Sequence, residues 1–478
     1  MLFNTLDFAV FLPIVFALYW FVFGRNYRAQ NTVLLIASCW FYMAFVPVYI
    51  LILAGTIGID YFAGILIEDS KGPARKRWLT ASIVANLGVL AAFKYWNFLN
   101  ENIGALFTSA GFDYNVPDLG MLLPIGLSFH TFQSLAYTIE VYRGTQKAER
   151  RPGMFALYVM FFPQLVAGPI ERPRNLLEQI EHPRTFNYAK AVDGLRQILW
   201  GLFKKMVIAD NCAIEADRIF DEPGLYAGST LLLGAFYFAM QIYGDFSGYS
   251  DIALGCSRLF GFSLMRNFAF PYFSRDIAEF WRRWHISLSS WFRDYVYVPL
   301  GGSRGGRWHA VRNTFIIFLL SGFWHGANWT FVCWGAINAL YFLPLLMAGK
   351  NRRFMGVVAE GRLFPSFVDV LRMTGTFLIT CVAWVFFRAK SVEQAIDHLA
   401  GIARPSLFTW PDVGPYYLFP LIAFLMAVEW IGRADQHALE RIALHWRRPL
   451  RLSFYMFIAT LIGVYMGTND TPFIYFQF

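Results

Sequence analysis

The chain has 478 residues, of which 57% are hydrophobic, 19% aromatic and 15% charged, with a formal net charge of +9. So much apolar side chain against so little charge excludes a soluble globular domain and describes a polytopic membrane protein. The positive balance does not indicate nucleic acid, because the basic residues sit in short loops between apolar runs. The cysteines Cys39, Cys212, Cys256, Cys333 and Cys381 give neither a disulfide framework nor a zinc spacing.

A bilayer core takes about 20 apolar residues per helix. Windows of this kind lie near residues 7–23, 31–52, 54–67, 79–99, 121–141, 193–209, 227–243, 313–330, 331–348, 368–388, 416–432 and 452–468. Some are short or carry charges, so the expectation is an all-α protein with roughly 11 transmembrane helices, in a single integral membrane domain over 1–478. The first window has no basic leader and no small-residue cleavage site, and reads as a retained span. Basic clusters at Lys71–Arg77, Arg143–Arg151, Lys350–Arg353 and Arg447–Arg451 alternate with acidic or neutral loops at 101–120 and 213–226. The positive-inside pattern then predicts cytoplasmic basic loops and extracytoplasmic termini.

Two regions depart from simple spans. Residues 154–170, "MFALYVMFFPQLVAGPI", lie between basic stretches and end in Gly168 and Pro169, which predicts a re-entrant half-helix. Residues 244–312 are too polar to span. They begin in "YGDFSGYSDIALG" (243–255), whose Asp245 and Asp251 lack the spacing of a calcium loop and read as helix-start caps beside glycine breaks. Within the same region "FWRRWHISLSSWFRDYVYVPLGG" (280–302) predicts one interfacial helix. Trp281, Trp284, His285, Leu288, Trp291, Phe292 and Tyr295 share its apolar face, with Arg282, Arg283, Ser290, Arg293 and Asp294 opposite. His285 here reads either as a belt histidine bonded to a carbonyl or as a functional group.

"FLLSGFWHGANWTF" (318–331) sets an ionisable residue inside an apolar window. Thr314, Ser321, His325 and Asn328 are spaced to form one polar stripe on a helix, and Gly322 and Gly326 form a small-residue pair on the adjacent face. From a start near Asn313, His325 lies roughly 18 Å along the helix, past the bilayer middle. An intramembrane ionisable residue marks a functional site by default. At the carboxyl end, "TPFIYFQF" (471–478) reads either as an interfacial aromatic belt or as a second functional element.

"PQLVAGPIERP" (163–173), "YGDFSGYSDIALG" (243–255), "NFAFPYFSRDIAEFWRRWHISLSSWFRDYVYVPLGG" (267–302) and "GFWHGANWTFVCWG" (322–335) resemble the membrane-bound O-acyltransferase family, in particular its bacterial alginate O-acetyltransferase-like branch. The resemblance implies helices around a central funnel, with His325 matching the family histidine and His285 its second polar position. It implies acyl transfer from a cytoplasmic thioester such as acetyl-CoA, used as a substrate with no bound cofactor. His325 is then the general base, and His285 orients the donor or stabilises charge. Trp324, Asn328, Ser321 and Asp245 line or support the funnel, and Arg282, Arg283 and Arg293 meet an anionic donor or, alternatively, lipid headgroups. Phe473, Tyr475 and Phe478 resemble the F-x-Y-x-x-F ending of the small peptide that accompanies the D-alanyl-transferring branch, which implies Tyr475 as an acyl relay. The branch also implies a bacterial inner membrane, a serine-dependent extracytoplasmic acetyltransferase partner and a polysaccharide acceptor. The rival from the residues alone is a proton-coupled transporter or channel with His325 as relay, for which no inverted repeat is visible.

Overall fold

The computed structural model describes residues 1–120, 123–467 and 473–476. Every regular element among them is helical. The chain divides into two compact units, Met1–Tyr188 with Ser257–Met265, and Ala189–Cys256 with Arg266–Phe478.

The first unit opens with α1 (Leu6–Ala17), α2 (Tyr27–Met43) and α3 (Tyr49–Asp69). The boundary between the second and third helices falls at 44–48 and not at 53, because Pro47 has no N–H to donate and ends the run. α4 (Pro73–Leu90) continues through a π-helical turn, Ala91–Tyr95, into α5 (Trp96–Ser109), and α6 (Leu127–Arg143) follows. Helices α3, α4 and α6 enclose Asp60, whose carboxylate accepts from Ser82 Oγ at 2.7 Å and Asn86 Nδ2 at 2.8 Å. Polar side chains buried between apolar helices hold such a bundle where hydrophobicity alone supplies no attraction. The segment expected to re-enter forms α7 (Pro152–Met160), one turn of α8 (Phe162–Leu165) and α9 (Pro173–Glu181). At 1.5 Å per residue α7 is about 14 Å long, roughly half a hydrocarbon core. Its break is satisfied internally: Phe162 N–H donates to Ser38 Oγ at 3.0 Å, and Gln164 Nε2 donates to Tyr158 O at 2.9 Å.

The second unit begins with α10 (Tyr188–Leu202), which passes through a π-helical stretch, Phe203–Ala209, into α11 (Asp210–Asp221). Next comes α12 (Gly228–Leu259), 32 residues without interruption. The expected break at 244 is therefore corrected. Gly248 and Gly255 are a packing face: a Cβ on them would lie 2.7 Å from Gly201 O and 2.5 Å from Gly194 O of α10. The helix-cap reading of the two aspartates falls with it. Mid-helix, Asp251 pairs with Lys204 at 2.5 Å and Asp245 with Lys205 at 2.9 Å.

Two seven-residue helices follow, α13 (Ile277–Arg283) and α14 (Ile286–Phe292), and then the hairpin of α15 (Arg307–His325) and α16 (Trp329–Met347). This hairpin closes tightly because Gly322 meets the backbone of Phe331 and Gly335 that of Phe318. The unit is completed by α17 (Phe367–Arg388), α18 (Val392–Ile402), α19 (Leu418–Ile431) and α20 (Arg448–Tyr465). Among the described residues four helices, Tyr49–Asp69, Pro73–Ser109, Trp329–Met347 and Phe367–Arg388, are long and apolar enough to cross a membrane, and Leu6–Val22 and Leu418–Ile431 are shorter apolar ones.

Candidate active site

One face of α15 presents Thr314, Ile317, Phe318, Ser321 and His325 to a cavity of about 230 Å³. Steps of three and four residues put these side chains on one stripe, and from Thr314 to His325 the stripe is about 16 Å long. The facing wall comes from Trp281, Trp284, His285, Leu288 and Phe292, and Phe342 and Leu346 of α16 complete it. At the other end from His325, Arg293, Tyr297, Ser303, Asn351 and Arg352 line it, where the loops beyond α14 and α16 come together.

His325 is the last residue of α15 and is buried. Its ring lies against Trp324, Trp334 and Phe387, with centroids 4.8, 5.1 and 5.2 Å away. The helix stops here because the next residue, Gly326, adopts an extended conformation, and any side chain on it would overlap the Phe331 ring. Asn328 is consequently not on the stripe with His325. It caps α16, accepting from Thr330 N–H at 2.9 Å, and its Nδ2 donates to Lys390 O at 3.0 Å. The signal was in the sequence: Gly-Ala-Asn is a helix stop followed by a preferred N-cap. The expected pairing of Gly322 with Gly326 is likewise corrected, since Gly326 lies outside the helix and Gly335 takes the place facing α15.

His285 does not sit on a continuous interfacial helix. The chain breaks there, with His285 at φ 44 and ψ 54 between α13 and α14. A left-handed conformation costs a non-glycine residue on the order of 1–2 kcal/mol, so something must hold it. Asn267 does. Its carbonyl accepts from Ile286 N–H at 2.9 Å, and its Oδ1 lies 3.0 Å from His285 Nδ1, 3.3 Å from Ser287 N and 3.0 Å from Ser287 Oγ. Asn267 thereby satisfies N–H groups that the start of α14 leaves open. It is a site residue that sequence reasoning missed. Strained turns of this kind gather at functional sites. Burial pushes the His285 imidazole down to about 3, so at neutral pH it is uncharged.

Trp324 joins the two histidines. Its ring centroid is 6.1 Å from that of His285 and 4.8 Å from that of His325. Residues 40 apart in sequence thus flank one indole. The carboxyl-terminal turn Ile474–Phe476 also arrives here. Tyr475 lies 5.6 Å from the His325 ring and 4.6 Å from Phe246, between centroids. Asp245 holds the turn, accepting from Ile474 N–H at 2.7 Å, and Phe473 packs on Tyr249 at 5.0 Å. Of the aromatic tail motif, Phe478 lies outside the described residues.

The arginines divide. Arg282 donates to Asn351 O and Phe354 O, both at 2.7 Å. Arg283 pairs with Glu279 at 2.8 Å and donates to Ala269 O at 3.1 Å. Both guanidiniums fasten backbone and neither lines the cavity. Arg293 does line it, exposed and paired with Asp294 at 2.7 Å. Arg352, noted in the sequence only as part of a basic loop, lines it as well.

Residues 154–387 match the model of the membrane-bound O-acyltransferase family. The chain is 41% identical over 388 residues to the probable alginate O-acetylase AlgI of Pseudomonas aeruginosa, covering 81% of this chain and 71% of that protein. With the protein of the same description from Pseudomonas putida it shares 35% identity over 499 aligned positions, 98% of each. With the peptidoglycan O-acetyltransferase of Helicobacter pylori it shares 34% identity over 84% of this chain and 80% of that one.

Proposed function

We propose, from the premise that this chain belongs to the membrane-bound O-acyltransferase family and is an O-acyltransferase, that it transfers an acetyl group from a cytoplasmic thioester of the acetyl-CoA type toward an extracytoplasmic polysaccharide such as alginate. One observation carries the reading: His285 and His325 flank the Trp324 indole and line a cavity whose other end carries Arg293 and Arg352, and a hydroxyl-bearing tail residue, Tyr475, lies 5.6 Å from the His325 ring.

The chemistry follows from that arrangement. The attacking hydroxyl oxygen forms a bond to the thioester carbonyl carbon as the carbon–sulfur bond breaks. His325 takes the hydroxyl proton as general base and returns it to the departing thiolate. His285 orients the donor. The aromatic rings around His325 keep out water that would hydrolyse the thioester. Arg293 and Arg352 offer positive charge to an anionic donor entering from the loop end. Tyr475 is the first acceptor. Its phenolic oxygen takes the acetyl group and passes it to a serine-dependent extracytoplasmic partner, so neither thioester nor sugar crosses the bilayer. In this reading the basic loops face the cytoplasm, both termini lie outside, and the membrane is the bacterial inner membrane.

Purified protein incubated with isotopically labelled acetyl-CoA tests the reading. The carboxyl-terminal peptide should acquire one labelled acetyl group, detected by mass spectrometry, and Tyr475→Phe should abolish the adduct. Wild-type polysaccharide acetylation in Tyr475→Phe removes the relay.

A further inference from the structure

The side-chain amide of Asn267 determines which nitrogen of His285 carries hydrogen. Ser287 N–H can only donate, and it points to the Asn267 amide at 3.3 Å. The atom facing it is therefore the oxygen, which leaves Nδ2 to donate to Ser250 Oγ at 3.3 Å. An amide oxygen only accepts. The imidazole Nδ1 lying 3.0 Å from the same oxygen must therefore bring a hydrogen to it. A neutral imidazole has one N–H, so Nε2 holds the lone pair. The surroundings favour the neutral ring: Phe246 packs edge-on at 4.6 Å and Trp324 lies at 6.1 Å.

We infer that Asn267 is a positioning residue that fixes the Nδ1–H tautomer of His285, so that His285 meets the thioester donor as a hydrogen-bond acceptor through Nε2. This rests on the acyltransfer reading and narrows it. A neutral imidazole held in this tautomer has no N–H at Nε2 to give a developing oxyanion. The group it takes is an N–H or O–H of the donor itself, such as an amide N–H along the arm that bears the thioester. The geometry also explains why the break between α13 and α14 is worth its strain. A continuous helix would carry His285 past Asn267, and the two contacts of Asn267, main-chain oxygen to Ile286 N–H and side-chain oxygen to Nδ1, set turn and tautomer together.

The test is the ¹⁵N spectrum of histidine-labelled, full-length protein in detergent. Eight histidines make assignment tractable, and the His285 signals are those lost in His285→Gln. The expected spectrum has protonated Nδ1 and bare Nε2 at His285; protonated Nε2 with bare Nδ1 overturns the inference without any variant. Asn267→Leu should mix the tautomers and lower kcat/KM for acetyl-CoA on the order of 10²-fold. Asn267→Asp, which still accepts from Nδ1–H, should keep Nδ1 protonated, and its negative charge favours a second proton at Nε2 and should leave the rate low. Ser250→Ala and Ser287→Ala, which remove the two hydroxyl partners of Asn267, should leave both tautomer and kcat/KM near wild type. A loss in Ser287→Ala equal to that in Asn267→Leu would make Asn267 a mere staple of the turn and defeat the inference. Thioester consumption by the wild type is assayed alongside: its absence ends the acyltransfer reading, while the tautomer is measured regardless.

Discussion

The two histidines reach one cavity by opposite means. His325 stands at the end of a regular helix, and its position is set by local rules: a stripe of three- and four-residue steps, a glycine that stops the helix, and an asparagine that starts the next. His285 stands on a left-handed turn between two short helices, and its position is set from eighteen residues away by Asn267. Trp324, Trp334 and Phe387 pack on the first ring, and the Asn267 amide holds the second. Under the proposed function, that difference separates a group that exchanges a proton from one that must keep one orientation.

Substitutions at the two positions sharpen that contrast. His325→Ala should lower acetyl transfer by about 10²–10⁴-fold, the range of a general base, with the protein still folded and inserted. His285→Ala should cost less in kcat and raise KM for the thioester, because it removes donor orientation. Equal losses confined to kcat at both positions would merge the two roles. Charge reversal at the loop end, Arg293→Glu with Arg352→Glu, should raise KM for acetyl-CoA several-fold while kcat holds, and the effect should shrink as salt screens it.

Stability offers the smaller tests. Asn328→Ala should lower stability by about 1 kcal/mol through the lost cap of α16, read as a fall in Tm, with kcat unchanged per folded molecule. His285 adds a pH dependence of known sign. Its folded value of about 3 lies below its ordinary 6.5, so below about pH 6.5 the unfolded chain takes up a proton that the folded chain refuses. Its contribution is present above that pH and is lost progressively as pH falls toward 3. His285→Gln should flatten this part of the acid limb of Tm against pH.

The same contrast explains what the sequence made legible. Composition and apolar windows gave an all-helical membrane protein, and helical periodicity placed Thr314, Ser321 and His325 on the cavity. Local spacing failed where distant partners decide. The turn at His285 depends on Asn267. Arg282 and Arg283 look like surface charge until the loop at 351–356, some 70 residues on, receives their hydrogen bonds. Asp245 looked like a cap because the glycines around it read as helix breakers. Inside an apolar helix those glycines are contact surface, and the aspartate is left mid-helix to hold Lys205 and the chain terminus. Asn328 is a different case, because its local stop-and-cap signal, Gly-Ala-Asn, overrides the polar spacing that would put it on the stripe with His325.

The most direct measurement of the central claim is thioester turnover by His325→Ala protein in proteoliposomes, with proton and solute flux recorded in parallel. An imidazole acting as general base predicts that acetyl-CoA consumption collapses in the variant, while the wild type consumes thioester without coupled flux. Undiminished consumption in His325→Ala, or His325-dependent flux with no thioester loss in the wild type, would contradict it.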